Sequence, residues 1–332
     1  TYAIGIKELW EIDPKNHNAG EIVHTTGWPL KSDTYGGSFL YHFDENLVSI
    51  GFVIGLDYKN PYLSPYDEFQ KFKTHPKMKS LFENGRRVSY GARALNEGGW
   101  QSLPELTFPG GALIGCDAGT LNTPKIKGTH TAMKSGMIAA EEVFLELEKG
   151  NANTHLGNFK NKFLQSWAGV ELKKARNVRP SFKYGLSIGM MYTGIDQILF
   201  RGKAPWTLSH AEPDHLSLKN KKDCKPIEYP KPDGKLTFDK LTNVSFSSTY
   251  HEENQPCHLK LTDDNIPISN NLELYDSPEQ RYCPAGVYEV LTENEKPRLQ
   301  INSQNCIHCK TCDIKDPKPV SYTHLTLPTI RL

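Results

Sequence analysis

Four cysteines constrain this chain more than anything else in it. Cys283 is followed by Pro284, and after 21 further residues Cys306, Cys309 and Cys312 fall at Cys-x2-Cys-x2-Cys spacing. Three closely spaced thiolates can wrap one face of a cubane [4Fe-4S] cluster, and a distant fourth, shielded by a proline, can close the site. Zinc also accepts four cysteines but more often takes them as two separated Cys-x2-Cys pairs, so the spacing favours an electron-carrying cluster and leaves zinc as the alternative. Here the run of three follows the Cys-Pro, the reverse of the bacterial ferredoxin order, so the chain between them has to double back. Val287 to Leu291 and Arg298 to Ile301 alternate like two strands around the polar turn Glu293-Asn294-Glu295-Lys296, which predicts that return as a hairpin. Cys116, Cys224 and Cys257 show no ligand spacing and read as incidental. An odd total of seven cysteines argues for a reducing compartment rather than a disulfide framework.

A length of 332 residues allows two or three domains. Lys+Arg of 39 against Asp+Glu of 38 gives no basic surplus to recommend nucleic acid as a partner. Thr1 stands where a methionine would begin a complete chain, so no signal or transit peptide can be read, and the expectation is a chain that begins inside a longer protein. No apolar run reaches the length of a membrane-spanning helix. The nearest, Phe182 to Phe200, is interrupted by Lys183, Asp196, Gln197 and glycines. It is flanked by Arg176, Arg179, Arg201, Lys203 and Trp206, a pattern suited to lying in a lipid interface, with a buried helix and loop as the plainer reading.

Residues 1–58 are strand-rich, with runs at Glu21–His24, Ser38–His42 and Leu47–Ile54 and a turn at Asp44-Glu45-Asn46, predicting an antiparallel sheet. A helix is expected over 66–84, then a glycine-rich stretch Tyr90–Gly99, a strand at Ala112–Gly115 and a helix from Thr129 to Lys149. On that helix Ala132, Met133, Gly136, Ala139, Ala140 and Val143 share a small-residue face suited to close packing. A strand running through Cys116-Asp117-Ala118-Gly119 towards a helix N-terminus suits a phosphate or a flavin, because backbone N–H groups and the helix dipole favour negative charge there. The fingerprint Gly-x-Gly-x-x-Gly is absent, so a flavin's pyrophosphate would need residues outside this chain. Lys219 to Lys235, rich in Lys, Pro and Asp, reads as a linker.

Long strings in this sequence resemble the electron-transfer flavoprotein:ubiquinone oxidoreductases. They are Tyr35–His42 (YGGSFLYH), Gly55–Pro65 (GLDYKNPYLSP), Tyr90–Gly99 (YGARALNEGG), Pro124–Gly136 (PKIKGTHTAMKSG) and Cys306–Pro317 (CIHCKTCDIKDP). The resemblance runs over residues 1–317. It implies FAD, a [4Fe-4S] cluster held by Cys283, Cys306, Cys309 and Cys312, and a ubiquinone pocket, in a monotopic protein on the matrix face of the mitochondrial inner membrane. Electron-transfer flavoprotein is the implied donor and ubiquinone the acceptor, with no acid–base catalytic residue identified. By the same resemblance Tyr35, Gly36 and Gly37 approach the quinone, Asp117, Gly128 and Thr129 approach FAD, and Tyr288 and Thr311 donate hydrogen bonds towards the cluster sulfurs. It also shifts segment 182–206 towards the membrane-contacting reading.

The fold class expected is mixed α+β and α/β: a partial FAD-binding domain with an antiparallel quinone-side sheet, plus a C-terminal ferredoxin-like [4Fe-4S] domain. Its parts are 1–110 (quinone-binding, with some FAD domain), 111–150 (strand and helix of the FAD domain), 151–235 (membrane contact and linker), 236–317 (cluster domain) and 318–332. That last stretch departs from the family's tryptophan- and glycine-rich ending and reads as an artefactual tail. Two other readings stay open: a related flavin and iron–sulfur reductase with a different acceptor, and a detached ferredoxin-like or zinc-binding module.

Overall fold

The computed structural model describes residues 1–318 except 152, 253 and 262, with the backbone of Thr323–His324; the rest of the 318–332 tail lies outside the described residues. Two compact units emerge, one of residues 3–94 with 212–332 and one of residues 1–2 with 95–211.

The first unit is built on a five-stranded sheet of β1 (Tyr2–Glu11), β2 (Ile22–Thr26), β3 (Gly36–Phe43), β4 (Leu47–Gly55) and β5 (Arg86–Asn96), in the order β2-β3-β4-β1-β5. The pairs β2/β3, β3/β4 and β1/β4 are antiparallel, as alternation in the sequence suggests. The turn between β3 and β4 carries Asp44 and Asn46 at positive φ, where short polar side chains are tolerated. β1, β4 and helix α1 (Pro65–Lys73) bury Ile4, Ile6, Trp10, Val48, Ile50, Phe52, Ile54, Phe69 and Phe72 between them.

The helix expected over 66–84 is two, α1 and α2 (Pro76–Leu81), because Pro76 cannot donate into a continuing helix and instead starts a new one, capped by His75. The stretch 90–99 is mostly strand: β5 runs through Tyr90, Gly91 and Arg93. Residues 219–235 are docked rather than loose. Lys219 N–H donates to the Lys59 carbonyl, Asn60 donates to the Lys225 carbonyl, the Tyr229 hydroxyl donates to Glu68, and Ile227 packs on the sheet's core. Extended proline-rich backbone suits such a strap because few of its donors need a ladder partner.

The second unit centres on α3 (Thr129–Glu148), α4 (Phe159–Gln165) and α5 (Trp167–Ala175), which bury Ile138, Ala139, Phe159, Phe163, Ala168 and Leu172. Ala112–Gly115 forms no full strand. Only Gly111–Ala112 pairs, with Thr107–Phe108, and Gly115–Ala118 turns as a short 3-10 helix. α3 turns Thr131, Ser135, Ile138, Ala139 and Glu142 inward, so the small-residue face expected to pack closely is largely outside, with Met133, Ala140 and Val143 exposed.

Segment 182–206 belongs to this unit as a 3-10 turn (Phe182–Tyr184), a helix (Leu186–Gly194) and a π-helical turn (Ile195–Leu199). A Cβ on Gly189 would lie 2.6 Å from the Phe182 ring, so glycine lets the turn and helix pack. The buried Arg176 guanidinium donates to the carbonyls of Lys173, Gly202, Ala204 and Trp206 and to the Thr207 hydroxyl, fixing the loop that carries Trp206. Among the described residues no helix is long and apolar enough to cross a membrane.

Candidate metal centre

The chain doubles back as the alternation of 287–301 suggests. Strands Tyr288–Glu293 and Lys296–Ile301 pair antiparallel about a two-residue turn, Asn294 and Glu295 both at positive φ, the geometry that matches strand twist. At its open end Asn302 N–H donates to the Val287 carbonyl, and the Asn305 side chain donates to the Gly286 carbonyl. The hairpin therefore closes the 22 residues between them into a clasp that delivers Cys306 back to Cys283.

β5 supplies the second clamp. Its Ala94 N–H donates to the Cys309 carbonyl at 2.8 Å, and the Tyr90 hydroxyl donates to the Pro284 carbonyl at 2.9 Å, so one strand holds both the Cys-Pro and the run of three. Lys315, one turn beyond Cys312, adds a third tie. Its fully buried ammonium donates to the carbonyls of Leu56, Tyr58 and Asp214 and to the Ser217 hydroxyl, at 2.6–3.2 Å. Burial lowers its pKa to about 7, opposed by the carboxylates of Asp214 and Asp57.

All four cysteines line one small pocket, with Ala285, Val287, Tyr288, Ile307, Lys310 and Thr311 as its other walls. Each is under 10% exposed and none is in a disulfide. Burial pushes the Cys306 thiol up to about 11 and Cys309 up to about 12, and Cys312 well above its ordinary value, with charge on the other cysteines adding to the effect in each case. Four thiolates that repel one another in a dry pocket need a compensating cation, which is what a metal centre supplies. The donor set therefore fits a four-thiolate metal group.

Two hydroxyls work against the burial penalty. Thr311 Oγ1 lies 3.3 Å from Cys309 Sγ, and the Tyr288 side chain lines the pocket beside Cys312; both hydroxyls favour the charged sulfur. The His308 N–H points at Cys306 Sγ at 3.4 Å. Left-handed backbone at His308 and Lys310, φ 54° and 68°, shapes this loop.

The other residues singled out from the sequence lie elsewhere. Gly36 and Gly37 open β3, half-buried, and the Tyr35 carbonyl accepts from Gly55 N–H. A Cβ on Gly36 would sit 2.5 Å from the Val53 carbonyl oxygen, and one on Gly37 2.3 Å from that of Thr25, so close strand approach already requires both glycines. Asp117 lies exposed in the turn 115–118, which packs on the first turns of α3: Gly115 N–H donates to Ser135 Oγ, and Thr131 Oγ1 donates to the Thr120 carbonyl. Gly128 is the half-buried cap of α3, and Thr129, its first residue, is exposed. Sequence reasoning missed Lys315 and a cluster of three histidines, His251, His258 and His308, beside the cysteine loop. A histidine inside the Cys-x2-Cys spacer was the available signal.

Residues 2–95 match the family model for the ubiquinone-binding region of ETF-QO, and residues 234–325 match the model described as electron transfer flavoprotein-ubiquinone oxidoreductase, 4Fe-4S. The chain is 57% identical over 328 residues to the rat protein named mitochondrial electron transfer flavoprotein-ubiquinone oxidoreductase, covering 96% of this chain and 53% of that one. Identity is 56% to the human protein of that name, with the same coverage, and 55% over 320 residues to the Arabidopsis thaliana one, covering 96% and 50%. The chain spans about half the length of the curated relatives it matches.

Proposed function

Since the chain belongs to the electron transfer flavoprotein-ubiquinone oxidoreductase family, we propose that it is the part of such an enzyme that holds a [4Fe-4S] cluster and meets the quinone, carrying electrons from reduced electron-transfer flavoprotein to ubiquinone. The observation that carries this reading is the single pocket lined by four buried cysteines inside the segment matched by the 4Fe-4S model. When bound, such a cluster takes up and releases one electron at a time. In this reading Cys283, Cys306, Cys309 and Cys312 hold it, while Ala285, Val287 and Ile307 keep water from the sulfurs. Donation from Thr311 and Tyr288 offsets negative charge on sulfur and so favours the reduced state. Residues 236–317 act as a ferredoxin-like unit, 1–110 carry the quinone side, and 111–150 carry FAD contacts at Asp117, Gly128 and Thr129, where an exposed helix N-terminus favours negative charge. Tyr35, Gly36 and Gly37 border the quinone. Iron and acid-labile sulfide analysis of the full-length enzyme tests the cluster: about four of each per chain are expected, and one zinc with no sulfide would overturn it.

In this reading the chain also contacts a membrane, the mitochondrial inner membrane on its matrix face, and exposed apolar side chains of the second unit support the lipid contact. Tyr184, Ile188, Met190, Met191, Ile195, Ile198, Leu199 and Phe200 are all exposed, and Ile198 and Leu199 are 76% and 74% so. The acidic residue within this run, Asp196, is turned inward, 1% exposed, and accepts from Gln197 and Asn177. Arg201, Lys203 and Trp206 are exposed just beyond it, the charge and ring chemistry of a headgroup boundary. An uncharged apolar surface of this kind suits insertion into one leaflet. Replacing Ile198 and Leu199 together with aspartate in the full-length enzyme is expected to release it from liposomes. Reduction of a long-tailed quinone should fall at least about ten-fold further than that of a short-tailed analogue, since two charges are costly in lipid. Unchanged liposome binding would mean that the segment packs against protein instead.

A further inference from the structure

Three histidine side chains stand outside the lining of the thiolate pocket yet converge beside it. His251, His258 and His308 each bring a ring nitrogen to within 4.8 Å of the other two. They come from separate places: the stretch beyond the short helix Lys240–Val244, the residue before strand Leu259–Lys260, and the spacer between Cys306 and Cys309. Their ring centroids are 4.7–5.1 Å apart, with His251 and His258 stacked at 16°. His258 is buried, His251 half-buried and His308 exposed, so the group is backed by protein and open to solvent on one side.

We propose that this trio is a second metal site, binding a borderline divalent cation of the zinc or cobalt type through three imidazoles, with a further coordination position open to solvent. The ligand chemistry selects the ion: imidazole suits zinc, cobalt, nickel and copper, whereas magnesium and calcium want oxygen, and among the described residues no carboxylate belongs to the group. Zinc–nitrogen bonds of about 2.0–2.1 Å put tetrahedral ligand nitrogens roughly 3.4 Å apart, so the present spacing closes on an ion by ring rotations that move the nitrogens on the order of 1 Å.

His251 is already oriented as metal-binding histidines are. Its Nε2 lies 2.8 Å from the Cys306 carbonyl oxygen, and donation there fixes the ring and leaves Nδ1 as the lone-pair nitrogen. Nδ1 accepts from the side-chain amide of Gln255, an exposed residue that can give up this 3.0 Å bond to water when an ion binds. Three histidine ligands with an open position make an accessible, exchangeable site rather than a closed structural one.

The test is titration of the tag-free full-length enzyme with cobalt(II), followed by its visible d–d absorption, with zinc as competitor. Expected is one saturable equivalent per chain, displaced by zinc and lacking the near-ultraviolet sulfur-to-cobalt band of thiolate ligation. The absence of that band keeps this site separate from the cysteines, whatever they hold. His308→Asn, which keeps a residue tolerant of positive φ, and His258→Gln should each weaken binding at least about ten-fold, the smallest loss even an outer-shell change brings. His308 is exposed, so its variant gives an answer even where the change at buried His258 upsets folding. No saturable binding, a thiolate band, or equal affinity in His308→Asn would show that the trio is ring packing alone.

Discussion

Serine in place of Cys309 in the full-length enzyme is expected to empty the cluster site and stop electron transfer from electron-transfer flavoprotein to ubiquinone, by roughly 100-fold or more. That exceeds the 10–100-fold typical of losing an outer-shell partner, because a ligand itself is lost. Cys309 is the thiol through which the pocket is anchored: its carbonyl accepts from Ala94 and its sulfur pairs with Thr311. A serine hydroxyl is far less acidic than a thiol and does not supply the fourth soft anionic ligand. The fold should persist, since serine nearly matches cysteine in volume and the side chain sits at the edge of a core dominated by Ile4, Trp10, Phe52 and Phe69. Iron content near zero with an unchanged far-ultraviolet circular dichroism spectrum is the expected pair of readings. Undiminished quinone reduction by the purified variant would falsify the assignment of Cys309 as a ligand.

The convergence of the four cysteines on one pocket was legible because its determinants are local. Three ligands lie within seven residues, and the return path to the fourth is a hairpin whose alternation and polar turn are visible in 287–301. What holds that clasp on the rest of the unit was not legible. Tyr90 and Ala94 lie in a stretch that reads only as glycine-rich, and in the structure they are strand, paired alongside β1. Gly36 and Gly37 read as places for a ligand to come close, and the structure adds a second reason for glycine at both, since the Val53 and Thr25 carbonyls of neighbouring strands lie where a Cβ would be. Lys315 carries no signal of its own in the sequence, since its acceptors are carbonyls from residues 56, 58 and 214. Local pattern reaches a site whose partners are close in sequence. It does not reach a polar contact whose partners are a hundred or more residues away.

β1 is the clearest instance, and it carries the other large effect expected. Its inward positions are Ile4, Ile6, Glu8 and Trp10, and a glutamate among them hides the alternation of a buried strand. Glu8 is 0% exposed and accepts from Lys73 Nζ at 2.8 and 3.0 Å, Trp10 Nε1 at 2.8 Å, Asn243 Nδ2 at 3.0 Å and Gln70 Nε2 at 3.2 Å. Lys73 is as fully buried, among the rings of Trp10, Phe69 and Phe238, and burial lowers its pKa while Glu8 opposes that shift. Through Asn243 and through Gln70, which accepts from Phe238 N–H, the same network joins the sheet to the segment leading into the cysteine site.

Lys73→Met should therefore cost about 3–5 kcal/mol, because it takes from a carboxylate in a dry core the ammonium bonded to both its oxygens and leaves only the Arg87 guanidinium, which reaches it through Asn243. Trp10 donates to that carboxylate, so its fluorescence can follow the urea unfolding of the full-length enzyme. The double variant Glu8→Leu with Lys73→Met removes both charges and should recover most of the loss, since apolar replacement of a whole buried pair is often neutral or stabilising. A single variant as stable as the parent, or a double variant no better than the single, would mean that the pair does not balance buried charge. In that case the connection between sheet and cysteine segment would rest on apolar packing.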